Sequence, residues 1–264
     1  MGRMKFKAVI TDLDGTAVNS PEQKQASQRL KNAVRQLEKS GIKVCAATGR
    51  AISFAKPLLL SMGLTGPAIV AGGTKIIDSQ SFQELWSCAI SDEAMAKVKA
   101  EVESMPYGYL WNDYIEDDYL NGGWQLADMP VNEKNVYFFE IVFVPDDEAF
   151  ALAGRLSTIP DIAATVVVAQ RSGMRDIHIT NARATKEHAI HELEAMLDIS
   201  KAEMIGVGDG HNDLHLYNAV GYKVAMSNAV PELKEVADEV IGAVQDDGLA
   251  EYFERLAHEV KENR

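Results

Sequence analysis

Ala8-Val9-Ile10-Thr11-Asp12-Leu13-Asp14-Gly15-Thr16 is the stretch from which the fold of this 264-residue chain can be worked out. Its first four residues are apolar or β-branched without a break, which predicts a strand buried inside a parallel sheet. The strand runs into two carboxylates spaced i and i+2, then Gly and Thr. In extended backbone such positions share a face, so Asp12 and Asp14 lean toward one volume. Two carboxylates that close repel each other unless positive charge sits between them. A divalent cation such as Mg2+, which prefers hard oxygen ligands, would supply it. Taken alone, the run is equally an Asp-rich turn in which Gly provides an unusual backbone angle.

A second acid-tipped run tilts that balance. Met204-Ile205-Gly206-Val207-Gly208-Asp209-Gly210-His211-Asn212-Asp213 is another short apolar strand that ends in glycines and acids. In a parallel α/β sheet, ligands collect at the carboxyl ends of the strands. Two such strands in one sheet would gather Asp12, Asp14, Asp209 and Asp213 around a single ion. Between them, Ile42 to Ala47 predicts a strand that ends in Thr48-Gly49-Arg50. A Thr hydroxyl and open backbone N–H groups at such a tip can hold phosphate oxygens. In isolation the same tripeptide is a strand-to-helix turn with Thr as a cap.

These runs, with Lys186, resemble the four motifs of the haloacid dehalogenase superfamily and stand in the family's order. Val224-Ala225-Met226-Ser227-Asn228-Ala229, with Glu232-Leu233-Lys234 and Ala237-Asp238, resembles the Cof-type sugar-phosphate phosphatases. The resemblance implies a doubly wound parallel-sheet α/β core with an inserted α+β cap. The core takes residues 1–79 and 181–264, the cap residues 80–180. It implies a Mg2+-dependent phosphatase for small phosphorylated metabolites, with Asp12 as nucleophile and Asp14 as general acid and base. Mg2+ would take an Asp12 oxygen, the Asp14 main-chain carbonyl and Asp209, with Asp213 orienting waters. Thr48, Gly49, Arg50, Lys186 and Asn212 are the expected substrate contacts, and Thr16 is expected to support Asp14. Similar dehalogenases lack an acid where Asp14 stands, because halide leaves without a proton. A phosphomutase on the same scaffold, or a non-catalytic metabolite-binding relative, are the alternatives.

The rest of the chain fits that frame. Ser20-Pro21-Glu22-Gln23 has the form of a capping box before a helical stripe at Ala26, Leu30, Ala33, Val34 and Leu37. Ile52 to Met62 predicts a second helix, and Pro67 to Ala71 a third strand that ends in Gly72-Gly73. In the insertion, Ser91-Asp92-Glu93 caps a helix and Asp146 to Leu156 is another. Val136 to Val144, Ala163 to Ala169 and Met174 to Thr180 read as strands there, and Asp113 to Tyr119 as a solvated loop or edge strand. Thr185 to Leu197 is a helix with Ala189, Ile190, Leu193, Met196 and Leu197 on its buried face. Lys186 lies in its first turn, where the helix dipole disfavours a cation; that mild misfit supports a functional role, while apart from the family resemblance an ordinary surface lysine is the default reading.

Composition narrows the classes. The net charge of −13 argues against nucleic-acid or anionic-membrane partners, which need basic surface. Two cysteines without a CxxC suit a reducing cytoplasm. Met1-Gly2-Arg3-Met4-Lys5 leads toward a strand with no secretory apolar segment, and no run is long enough to span a membrane. No protein partner is expected.

Overall fold

The computed structural model describes residues 6–130 and 135–262, which divide into two compact units. The N-terminal segment read above for a leader, residues 1–5, lies outside the described residues. One unit runs through Trp86 and resumes at Thr185; the other is Ser87–Ala184.

The first unit opens with β1 (Ala8–Thr11), α1 (Gln28–Lys39), β2 (Lys43–Ala47), α2 (Ile52–Met62), β3 (Ala68–Val70), β4 (Lys75–Ile77) and β5 (Glu84–Ser87). β1 runs parallel to β2, and β4 is antiparallel to β3. All four residues of β1 are buried, as a strand sandwiched by helices on both faces demands.

Helix α1 starts later than the capping box at Ser20 suggests. Ser27 is its cap and accepts the Leu30 N–H at 3.0 Å. The carbonyls of Ser20 and Gln23 instead accept from the Arg50 guanidinium at 3.2 and 3.3 Å, which holds that segment out of the helix. Leu30, Ala33, Val34 and Leu37 form the buried stripe of α1.

The second unit has α3 (Asp92–Val102), β6 (Gly108–Trp111), α4 (Glu116–Leu120), β7 (Phe139–Pro145), α5 (Asp146–Leu156), β8 (Ile162–Val168) and β9 (Met174–Asn181). Its strands lie in the order β6-β7-β9-β8, each pair antiparallel. Phe139, Ile141, Ile177 and Ile179 pack on the buried faces of α3 and α5. Alternation sends Glu140, Asp176 and His178 to the opposite face. There Tyr114 donates to Glu140 at 2.5 Å and Tyr119 to Asp176 at 2.7 Å. The acidic Asp113–Tyr119 stretch, expected as a solvated loop or edge strand, is loop only as far as Ile115 and helical from Glu116, with both tyrosines buried. Its acids favour a helix N-terminus, α4 forms, and Tyr119 is buried.

The chain then completes the first unit with α6 (Lys186–Leu197), β10 (Met204–Gly208), α7 (Asp213–Asn218), β11 (Tyr222–Met226), α8 (Pro231–Glu235), β12 (Glu239–Ile241) and α9 (Gly248–Glu262). Thr185 caps α6 by accepting the His188 N–H at 3.1 Å. Lys186, Ala189, Ile190 and Leu193 make its buried face, whereas Met196, expected on it, is exposed. Among the described residues the sheet of this unit has the order β12-β11-β10-β1-β2-β3-β4-β5, with β10 parallel to β1. It winds from β1 through β2 to β3 in one direction and from β10 outward in the other. The switch point therefore lies between β1 and β10, where the fold opens a crevice at the strand tips. Among the described residues no helix is long and apolar enough to cross a membrane.

Candidate active site

β1 and β10 place the two acid runs side by side. Ile10 pairs with Gly206 and Thr11 with Val207, and the Asp12 N–H donates to the Val207 carbonyl at 2.9 Å. Residues separated by nearly the whole core thus leave the sheet at one level. Lys186 enters from the first turn of α6, and its side chain is 3% exposed. Its ammonium donates to Asp12 Oδ1 at 2.6 Å and to Asp213 Oδ1 at 2.7 Å. The other oxygen of Asp213 accepts the N–H groups of Asp209 and Gly210, both at 3.0 Å. Asp213 is therefore the residue that shapes the loop after β10.

Carboxylate oxygens of Asp12, Asp209 and Asp213 all lie within 4.8 Å of one another. Thr16 donates to Asp209 Oδ1 at 2.8 Å, so it supports Asp209 and not Asp14 as the resemblance implied. Gly15, at φ +80°, leaves the room that Asp209 needs: a Cβ there would stand 2.1 Å from Asp209 Oδ2. Gly73, at φ +116°, plays the same part for α6, since a Cβ would fall 2.2 Å from the Thr185 carbonyl carbon, one residue before Lys186.

Three carboxylates around one ammonium leave the cluster short of positive charge. Burial alone would lower the Lys186 pKa, but Asp12 and Asp213 more than offset it and raise it. Burial, and next the Asp213 carboxylate, push the Asp12 carboxyl well up against the pull of Lys186. Burial also pushes Asp209 up to about 6, with Asp213 and Asp14 adding to it and Thr16 and Lys186 opposing. A cation beside these groups would reverse that preference for protonation. The donors are all oxygens, clustered and partly preformed, and the missing Cβ of Gly15 lets the Asp209 carboxylate join them. This set fits a hard divalent ion such as Mg2+.

Of the other expected residues, Arg50 has partners that the sequence reading did not foresee. Arg50 is buried, and its Nε and Nη2 grip the Asp14 carboxylate, at 2.9 Å to Oδ2 and 2.6 Å to Oδ1. Its remaining bonds reach the carbonyls of Ser20, Gln23 and Phe54. Thr48 is buried and its hydroxyl accepts the Arg50 N–H at 3.1 Å. Gly49 and Asn212 are exposed at the tips of β2 and β10. The sequence reading missed Gly73 as the seat of α6; its position directly after a strand was the available signal.

An α/β sheet with acids at its switch point and a buried lysine between two of them makes one compact centre able to hold a cation and an anion side by side. The chain belongs to the haloacid dehalogenase-like hydrolase family, whose model matches residues 9–253. It is 25% identical over 262 residues to a phosphoglycolate phosphatase of Methanothermobacter thermautotrophicus, covering 95% of this chain and 99% of that one. It is 25% identical to phosphatase YwpJ of Bacillus subtilis, covering 95% of this chain and 100% of the other. A haloacid dehalogenase-like hydrolase structure from B. subtilis superimposes with a TM-score of 0.75 at 23% identity, covering 94% and 99% of the two chains. The subclass IIB sugar phosphatase BT4131 does so with a TM-score of 0.70 at 20% identity, covering 95% and 98%.

Proposed function

We propose that this protein is a Mg2+-dependent phosphatase that hydrolyses small phosphorylated metabolites, sugar phosphates foremost, through an aspartyl-phosphate on Asp12. It is a phosphatase by its family and by the names of its relatives. The observation that carries the finer reading is the buried Lys186 held between Asp12 and Asp213, with Asp209 alongside. Asp12, Asp209 and the Asp14 main-chain carbonyl would hold Mg2+, with Asp213 behind them. Bound there, the ion supplies charge that offsets repulsion between the Asp12 carboxylate and an anionic phosphate.

The side chains divide the rest of the work. The free Asp12 oxygen attacks phosphorus, the bond to the ester oxygen breaks, and Asp14 delivers a proton to that oxygen. Water then attacks the phosphoryl group, gives its proton to Asp14, and releases phosphate from Asp12. Lys186 keeps Asp12 oriented and adds fixed positive charge where the phosphoryl oxygens gather. Thr48 and the Gly49 N–H, with Asn212, complete the cradle. Arg50 serves as the anchor of Asp14, since its donors are already committed to that carboxylate and to backbone carbonyls. Burial pushes the Cys45 thiol up to about 12, an inert thiol that suits the cytoplasm we assign.

Phosphate release from a panel of phosphorylated metabolites, including phosphoglycolate and hexose phosphates, tests this with and without Mg2+. Mg2+-dependent turnover that is lost in Asp12→Asn is expected. Normal turnover in Asp12→Asn, or release indifferent to EDTA, would overturn it. Transfer to a second sugar hydroxyl without phosphate release would mark a mutase.

A further inference from the structure

The loop after β11 reaches both acid loops, and nothing in the proposed chemistry uses it. Asn228, exposed on this loop, donates from Nδ2 to the Gly15 carbonyl at 2.8 Å, across a separation of 213 residues. Its Oδ1 accepts the Val244 N–H at 2.9 Å. A carbonyl on one side and an N–H on the other fix which way the amide points. Two residues further on, the Val230 N–H donates to the Asp209 carbonyl at 2.9 Å. The loop itself is closed by the Ala229 N–H to the Met226 carbonyl at 2.9 Å and by Lys234 Nζ to the Ser227 carbonyl at 3.0 Å.

One short loop therefore holds the peptide of Gly15 and the peptide of Asp209 at once. Those are the two peptides whose separation decides whether the Asp209 carboxylate fits over Gly15. Only a missing Cβ makes that room, so a small shift of the Gly15 peptide changes where the carboxylate can lie. Resting on the metal-dependent reading above, we infer that Asn228 is a positioning residue. It sets the distance between the Asp12–Thr16 turn and Asp209, and through it the affinity for Mg2+, without touching ion or substrate itself.

Two exposed neutral hydrogen bonds add little to folding, whereas the partners of metal-ligating residues govern affinity by about 10- to 100-fold, and Asn228 stands one step behind them on the Gly15 carbonyl. The two effects separate on measurement. Asn228→Ala removes both bonds. Asn228→Asp keeps an acceptor for Val244 but sets an oxygen against the Gly15 carbonyl. The negative charge that the second variant adds favours cation binding by itself, so weaker binding in Asn228→Asp runs against charge. Mg2+ binding by titration calorimetry, melting in EDTA, and KM and kcat at saturating Mg2+ are read together. Both variants are expected to bind Mg2+ about tenfold more weakly. Melting in EDTA should fall by no more than about 8 °C for the two lost bonds, and KM at saturating Mg2+ should hold. Unchanged Mg2+ affinity in both variants, or affinity lost only alongside a much larger fall in melting temperature, overturns the inference alone. A wild-type protein that binds no Mg2+ overturns the metal reading and this inference with it.

Discussion

The guanidinium of Arg50 holds the carboxylate of Asp14 in a two-pronged ion pair, with Nη2 2.6 Å from Oδ1 and Nε 2.9 Å from Oδ2. The side chain of Arg50 is 5% exposed and that of Asp14 32%, so the cation is committed while the acid keeps one side to solvent. For the proposed proton transfer, the solvent side of the anchored Asp14 is where a proton enters and leaves.

Arg50→Ala should therefore damage folding and turnover together. It strands the carboxylate and three carbonyls, at a cost of about 2–3 kcal/mol after allowance for Asp14's exposure. We expect kcat to fall about 10- to 100-fold with KM less affected, because the acid loses its anchor and not the substrate its ligand. Arg50→Lys keeps the charge but not the fork and should recover little. A KM that rises more steeply than kcat falls would return Arg50 to the substrate.

Lys186→Met fills the same space without charge. Asp12 and Asp213 are then left buried with no cation, and we expect about 3–5 kcal/mol of destabilisation in EDTA by urea titration. Turnover should drop by about a thousandfold or more. Stability in EDTA close to wild type would show that the ammonium is not what holds the acids together.

Gly15→Ala adds one methyl group at φ +80°, 2.1 Å from an Asp209 oxygen. Backbone strain of about 1–3 kcal/mol is expected, together with displacement of the carboxylate. Calorimetry should show weakened Mg2+ binding beyond what the stability loss accounts for. Retained affinity would mean that Asp209 is not a ligand.

His178 gives the second unit a pH dependence of definite sign. It meets Glu140 at 3.1 Å and the Phe138 ring, with Asp176 nearby on the same face of β9. Burial alone would lower its pKa, but Glu140, and after it Asp176, raise it above the ordinary 6.5. The folded state therefore binds the proton more tightly than the unfolded chain. The stability this contributes is fully present below 6.5 and is lost as pH rises through the higher folded value. Asp176, raised chiefly by burial, acts in the same sense in a more acidic window. Protection of the β7 and β9 amides against hydrogen exchange should fall as pH rises above that point, after correction for intrinsic rates. His178→Gln should flatten the trend, and an equal slope in that variant would remove His178 as its source.

Elements with internal periodicity were the legible ones. α2 and α5 carry their apolar spacing and their boundaries within one short segment, and their observed ends agree with the sequence reading. The start of α1 was not legible, because the carbonyls that would have begun it bond to a guanidinium 30 and 27 residues further along the chain. Thr16 was assigned to the nearer acid, while its partner lies just past β10, and only the register of β1 against β10 reveals that. α4 was missed because its burial depends on tyrosines that find acids on distant strands. The acid runs themselves were visible as strand tips. Which oxygen meets which donor was a property of the sheet.

The excursion that forms the second unit leaves at the end of β5 and returns one residue before Lys186. Every side chain with a proposed chemical part lies outside it. The boundaries after Trp86 and before Thr185 are therefore the two splice points at which the whole block can be exchanged without cutting any element that carries a reacting group.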